Sequence, residues 1–307
     1  MRSFLTALMV LVLAVLAAGF LGRIHPAFDS IGHFRLHVLL VALGLAALAA
    51  LAGARRIAAA GLVAALAAFI SVAPYVLPLG NNPTAKASAG TGTPGVTLLQ
   101  MNLLFNADLT AAMRTISDSN ADIVTLQEVT PAHWETLAAL NYPHRTRCET
   151  PRRVGDVAIL SRLPFAAAPD VCIPQENFMA RAVPFGDGTL NVVSQHLSWP
   201  WPHAQQRQVE IVAPTLNGLR APTVIAGDFN AAPWSANLRA YARAAGTEPV
   251  GGIGTTWPTM LPGWLTRLAG LPIDNILVTP GLGVAAAILP PTASDHSPVL
   301  VNLTPTP

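Results

Sequence analysis

Three apolar runs crowd the first 79 residues, and they argue against a chain that folds wholly in water. Residues 4–22 and 57–79 hold no charged side chain, and residues 36–54 hold only His37. A helix needs about 20 residues to cross a hydrocarbon core about 30 Å thick, so each run predicts a transmembrane helix. The first run, led by Arg2, also fits a cleaved signal peptide; the other two would then remain as a membrane hairpin. Three spans would place the N-terminus and the rest of the chain on opposite sides. The basic residues near the span ends tie, with Arg2, Arg55 and Arg56 against Arg23, Arg35 and Lys86. The Arg55–Arg56 pair and the terminal amine tilt the balance toward N-terminus inside, which leaves the C-terminal part outside the cytoplasm.

Charge divides the chain at the same place. Only 11% of residues are charged, against about 25% in ordinary soluble domains. Residues 1–95 hold six Lys/Arg and one acid, Asp29, whereas 96–307 hold twelve arginines, fifteen acids and no lysine, a balance of about −3. A highly charged disordered chain is excluded. Residues 80–95, rich in Gly, Pro, Ser, Thr and Ala, predict a flexible linker. Gly90, Gly92 and Gly95 there have dinucleotide-loop spacing, but no strand precedes them and no helix follows. The two cysteines, Cys148 and Cys172, lie beyond the linker. They are compatible with one disulfide in an extracytoplasmic domain, or with two separate buried thiols.

From residue 96 onward, strand and helix patterns alternate. Strands are predicted over 96–105, 122–128, 155–161, 190–196, 223–228, 273–278 and 299–303. Helices are predicted after Asp108, from Thr130–Pro131, over 203–219 and after Ser235, by capping and first-turn proline rules. Polar side chains sit inside or at the ends of these apolar strands: Asn102, Glu128, His196, Asp228, Asn230, Asp274, Asp295 and His296. Strand ends of α/β sheets converge on clefts, and a bare carboxylate such as Glu128 is expensive to bury without a partner or metal. Singly, each has a bland reading: a capping amide, a buried ion pair, a core histidine.

Their order is more specific. LLQMNLLF, DIVTLQEV, GDVAILSRLP, VVSQHL, VIAGDFNAAP, PIDNILV and SDH follow one another along 96–303. This resembles the endonuclease/exonuclease/phosphatase (DNase I-like) superfamily, in its bacterial membrane-anchored form, with GDFN and SDH the most specific pieces. The resemblance implies a four-layer α/β sandwich, two packed mixed sheets flanked by helices, as the catalytic domain over 96–307. It implies a phosphodiesterase dependent on Mg²⁺, or Mn²⁺, in a bacterial inner membrane. Glu128, with Asn102 and Asp295, would serve the metal. Asp228 would activate the attacking water, held by Asn230. His296, oriented by Asp274, and His196 would meet the phosphate. The second histidine of many bacterial relatives is replaced by Asn275. Arg181 is a further phosphate-contact candidate, and Tyr142 a weaker one for a tyrosine that some nucleases use.

The substrate is less defined. An acidic domain without lysine argues against a long duplex footprint. All six tryptophans fall in this domain. Trp199 and Trp201 after His196, Trp234 after Asn230, and Trp257 and Trp264 before Asp274 suggest an aromatic rim, suited to bases or to a bilayer interface; the alternative is that they plug loops. The leading expectation is a nuclease-type enzyme. Alternatives are a phospholipid or inositol-phosphate phosphoesterase and a non-catalytic membrane sensor or scaffold. The partners implied are the phosphodiester, in nucleic acid or a lipid headgroup, and the bilayer; no feature points to a protein partner.

Overall fold

In the computed structural model, which describes residues 1–77, 95–151, 153–167, 170–219 and 222–305, all seven expected strands form, with shifted ends. The N-terminal helices are α1 (Arg2–Gly19), α2 (Pro26–Gly32), α3 (Arg35–Leu51) and α4 (Arg55–Val76). Then follow β1 (Val96–Asn102), α5 (Thr110–Ser119), β2 (Ile123–Val129), α6 (Pro131–Leu137), β3 (His144–Cys148) and β4 (Asp156–Ser161). Next come β5 (Val171–Ile173), β6 (Phe178–Phe185), β7 (Gly188–His196), α7 (Gln205–Asn217), β8 (Thr223–Asp228) and α8 (Ala236–Ala244). The chain closes with β9 (Glu248–Pro249), α9 (Gly263–Ala269), β10 (Asp274–Val278), β11 (Gly283–Ile288) and β12 (Val299–Thr304). The linker expected over 80–95 lies outside the described residues, apart from Gly95.

Two six-stranded mixed sheets stack, ordered β11-β12-β1-β2-β4-β3 and β5-β6-β7-β8-β10-β9. The parallel pairs are β1–β2 and β7–β8. Successive side chains of a strand point to opposite faces, and here both faces are covered. Leu98 and Ile123 enter the seam between the sheets with Val192, Val224 and Ile276. Their neighbours Leu99 and Val124 pack outward on Ile116 of α5 and Leu137 of α6. On the far side, Val193 and Ile225 meet Val212 of α7 and Leu238 of α8. Burial of each such side chain contributes roughly 1.5–3 kcal/mol, so the seam and its two flanks hold the four layers together.

The helix starts follow local chemistry. Thr130 and Ser235 cap α6 and α8 by accepting the His133 and Leu238 N–H groups, each at 3.1 Å. Asp108 accepts the Thr110 N–H at 2.9 Å, but the helix begins one residue later than that cap implies, behind Leu109. Cys148 and Cys172 form a disulfide that ties β3, at the edge of one sheet, to β5, at the edge of the other.

α1 and α4 are long and apolar enough to cross a membrane; the middle run folds as α3, which qualifies only as a bent pair with the preceding α2, the two meeting at 60°. The sequence suggested an anchor tethered to a separate domain, but the two are docked. The Trp234 indole donates to the Gly32 carbonyl at 2.8 Å. The Gly252 N–H donates to the Tyr75 carbonyl at 2.8 Å, and the Ser30 hydroxyl to the Trp201 carbonyl at 3.1 Å. Trp234 is therefore buried among the apolar side chains of the bundle rather than on a rim.

Candidate functional site

Strand register assembles the site. Asp228 ends β8; His196, at the end of β7, pairs with it on one side, and Asp274, at the start of β10, on the other. Asn102 ends β1 in the facing sheet. Glu128 sits beside it on β2, where the register breaks between Leu126 and Val129. Glu128 has a φ of 61°, and a non-glycine residue with positive φ is uncommon. The bulge re-aims this side chain toward the cleft. It can form because residue 155 opposite is glycine, with φ of 84°. A Cβ there would stand 2.7 Å from the Glu128 carbonyl carbon.

The polar groups converge on Asp228. Its Oδ1 accepts the Asn230 N–H at 2.8 Å, and its Oδ2 accepts Asn102 Nδ2 at 3.0 Å and Asn230 Nδ2 at 3.4 Å. His196 Nε2 and His296 Nε2 approach the same Oδ2 at 3.5 and 3.7 Å. Asn102 Nδ2 also donates to Glu128 Oε1 at 3.1 Å, and the Phe105 N–H to Glu128 Oε2 at 2.9 Å. The Asn102 oxygen accepts the Leu104 N–H at 2.9 Å. In this arrangement Asn102 orients the two carboxylates rather than offering its own oxygen. His296 Nδ1 lies 2.8 Å from Asp274 Oδ2. Glu128, His196, Asp228, Asn230, Asp295, His296 and Trp199 line one cavity of about 460 Å³.

Electrostatics follow from burial among like and unlike charges. Burial pushes the Asp228 carboxyl above the usual carboxylate range, against the pull of His296 and His196. Burial likewise raises Glu128, opposed by the Phe105 N–H and the Asn102 amide. For His296, burial alone would lower the imidazole, but Asp274 and Asp228 outweigh it and carry it to about 10. In the metal-free protein, this histidine then contributes stability that is fully present below its unfolded value of about 6.5. That contribution is lost as pH rises through about 10. Thermal unfolding in EDTA should therefore show the midpoint falling from pH 7 to pH 10.5 more in the native protein than in His296→Gln. Parallel profiles would refute it.

Other expected residues fall elsewhere. Asp295 turns Oδ2 to the Trp257 indole at 3.0 Å and leaves Oδ1 3.9 Å from His296 Nε2. Trp199 is exposed at the mouth and meets Trp257 edge-on. Trp201 leans on His25 of the bundle. Arg181 is not at the cleft: it pairs with Val192, four residues before His196 and so about 13 Å along the strand. It bonds Asp170 and Thr146 instead. Tyr142 is buried, its hydroxyl on the Ala121 carbonyl. Asn275, in place of the second histidine, holds the Ala231 carbonyl at 2.9 Å.

Sequence reasoning missed the amide layer beneath the site. Gln100 Nε2 donates to Asp274 Oδ1 at 3.0 Å and to Gln127 Oε1 at 2.9 Å, and Gln127 Nε2 donates to Ser194 at 3.1 Å. Glutamines at seam positions of strands that are otherwise apolar were the available signal.

The donor set fits a hard cation. Ligand atoms of Glu128, His196 and Asp228 lie within 4.8 Å of one another, as do those of Asp228, Asp274 and His296. Carboxylate oxygens dominate both groups, which suits Mg²⁺ or Mn²⁺, and burial leaves Glu128 short of compensating charge.

Known proteins resemble this chain over part of its sequence or in its fold. Two curated UPF0294 proteins of Vibrio vulnificus, strains YJ016 and CMCP6, are each 34% identical, over 128 and 118 residues. The matches cover 39% and 38% of this chain and 42% and 38% of those proteins, so the chain spans about two fifths of each. Humanized D. rerio TDP2 superposes with a TM-score of 0.55 at 18% identity, over 68% of this chain and 99% of that one. Sphingomyelinase C from Streptomyces griseocarneus gives 0.53 at 17%, over 68% and 99%. These likenesses are of fold. The Endonuclease/Exonuclease/phosphatase family matches residues 99–296, about two thirds of the chain and every strand-end residue described above. The chain belongs to the endonuclease/exonuclease/phosphatase family.

Proposed function

We propose that this protein is a membrane-anchored, divalent-metal-dependent phosphoesterase of the nuclease type, which hydrolyses phosphodiester bonds by in-line attack of water. The observation that carries this is the buried Asp228 carboxylate, met by Asn102, His196, Asn230 and His296 in one open cavity. Mg²⁺, held by Glu128 and Asp295 with Asn102 orienting Glu128, would neutralise phosphate charge when bound. Asp228 positions the attacking water and takes its proton; a carboxylate raised by burial is the stronger base for that step. The Asn230 N–H holds Asp228 Oδ1, and Oδ2 is left toward His196 and His296, which line the cavity. His296, kept protonated by Asp274, donates to a phosphoryl oxygen as negative charge builds on it. His196 meets the phosphate or the leaving oxygen from the opposite side of Asp228.

A D. rerio TDP2 structure holds a single-strand DNA product. A small-footprint reading of that kind suits an acidic domain without lysine, with Trp199 at the mouth for a base to stack on. One observation favours a lipid headgroup instead: the loop that lines the cavity with Trp199 rests on the bundle at Trp201, two residues later. Assay of the full chain on plasmid DNA, RNA, sphingomyelin, inositol phosphates and bis-p-nitrophenyl phosphate, with and without Mg²⁺ or Mn²⁺, decides. Hydrolysis of none would defeat the enzyme reading and leave the scaffold.

Placement in a bacterial inner membrane with the domain outside the cytoplasm is supported by the disulfide. Membrane contact is supported further by α9. Met260, Trp264 and Leu268, four residues apart in succession, are exposed by 76%, 66% and 58%. The end of this segment, Ala269 and Gly270, abuts His37 at the start of α3. In full-length protein in nanodiscs with brominated lipid, Trp264→Phe should remove a strongly quenched emission component. Unchanged quenching would place α9 in water.

A further inference from the structure

Asp29 is the only acid in the first 95 residues, and it is 2% exposed. A carboxylate buried at the head of a membrane bundle needs a purpose for its charge. It finds partners in the other part of the chain. Asp29 Oδ1 accepts the Ala236 N–H at 2.6 Å, and Oδ2 accepts the Asn237 N–H at 3.1 Å. These are the first two N–H groups of α8, which have no partner inside a helix. Ser235 Oγ takes the Leu238 N–H. A negative charge at this end also complements the helix dipole. The bundle thus supplies half the cap of a helix that starts eight residues after Asp228.

From α8 the contacts continue inward. Asn237 Nδ2 donates to Gln205 Oε1 at 3.1 Å. That bond fixes which way the Gln205 amide faces. Its Nε2 then reaches three carbonyls: Ser198 at 2.9 Å, Phe229 at 3.1 Å and Asn230 at 3.2 Å. Phe229 and Asn230 directly follow Asp228, and Ser198 precedes Trp199. Trp234, at the end of the same loop, is pinned to the Gly32 carbonyl three residues from Asp29. Both ends of the 228–234 loop are therefore referenced to α2.

We propose that Asp29 is a positioning residue for the 228–234 loop, acting through Asn237 and Gln205, so that the membrane anchor completes the catalytic site. The inference rests on the phosphoesterase reading for its kinetic consequence, though not for its structural one. It makes the anchor part of the enzyme's working geometry.

The test uses the full chain in nanodiscs, with Asp29→Asn and Asn237→Ala as separate variants. Asp29→Asn places an amide NH₂ where one of two N–H donors needs an acceptor. Asn237→Ala cuts the relay and leaves the Asp29 bonds untouched, so if Asp29→Asn fails to insert, unchanged kcat and unchanged exchange over 228–231 in Asn237→Ala still overturn the proposal. With bis-p-nitrophenyl phosphate and Mg²⁺, kcat should fall about 10-fold or more, with KM held within about twofold. Hydrogen exchange read by mass spectrometry should quicken over residues 228–231 in both variants. Unchanged kcat, with faster exchange confined to 235–238, would show a local cap and overturn the proposal. If the native chain hydrolyses nothing, the phosphoesterase reading fails, and the exchange over 228–231 alone decides whether Asp29 positions the loop.

Discussion

Asp228→Asn is expected to lower kcat by about 10²–10⁴-fold while the protein stays folded. The substitution keeps the shape of the side chain and its bond from the Asn230 N–H, but removes the carboxylate proposed as the base for water. Its effect on stability has a definite sign. Burial raises the Asp228 carboxyl in the folded protein. The folded state therefore binds this proton more tightly than the unfolded one, and the associated stability falls as pH rises through the folded value. An asparagine has no proton to lose. In EDTA, the thermal midpoint should fall less between pH 4 and pH 8 in the variant than in the native protein. His296 and His196 face Asp228 Oδ2 and shift with it, so the difference reports Asp228 together with these two imidazoles. A variant that kept more than about a tenth of native kcat would place the base elsewhere.

How much of this was legible beforehand depended on whether the information was local. The seven apolar strands were visible because both faces of each are buried, which leaves a nearly continuous apolar run. Five strands among the described residues were not: β6 and the four edge strands β3, β5, β9 and β11. β6 carries Arg181 and Pro184, both poor strand signals, and β11 is GVAAAI, whose alanines read as readily as helix. β5 has three residues and is held by pairing with β6 and by Cys172. The candidate site residues stood out because each lies at or next to a strand end in a motif of fixed order. What joins them was hidden. Gln100 meets Asp274 across 174 positions, and Asp29 meets Asn237 across 208. No window of sequence reports contacts of that range. Trp234 and Arg181 failed for the same reason: their positions in the chain suggested the cleft, and tertiary partners took them elsewhere.

Glu128→Gln is expected to uncouple metal from fold and chemistry together. Glu128 reaches the cavity only because a bulge with positive φ, backed by Gly155, turns it there. The Asn102 amide and the Phe105 N–H then hold its two oxygens, and a glutamine cannot accept both donors. Loss of a partner that orients a metal ligand weakens affinity by about 10–100-fold, and loss of the ligand's own charge should cost at least as much. Metal that binds only the folded state stabilises it by RT ln(1 + [L]/Kd), about 2.7 kcal/mol at 100 times Kd. A 100-fold weaker site at that same Mg²⁺ concentration keeps only about 0.4 kcal/mol. The Mg²⁺-dependent rise in thermal midpoint should thus nearly vanish in Glu128→Gln, and activity should require far more Mg²⁺. Arg181→Ala makes the contrast, since its guanidinium serves Asp170 and Thr146 about 13 Å from His196. It should leave both the Mg²⁺ shift and the Mg²⁺ requirement unchanged. If Glu128→Gln kept the native Mg²⁺ shift, the cation would have to be held by Asp228, Asp274 and His296 instead, the second cluster of ligand atoms within 4.8 Å. Asp228 could not then serve both as ligand and as base in the way proposed.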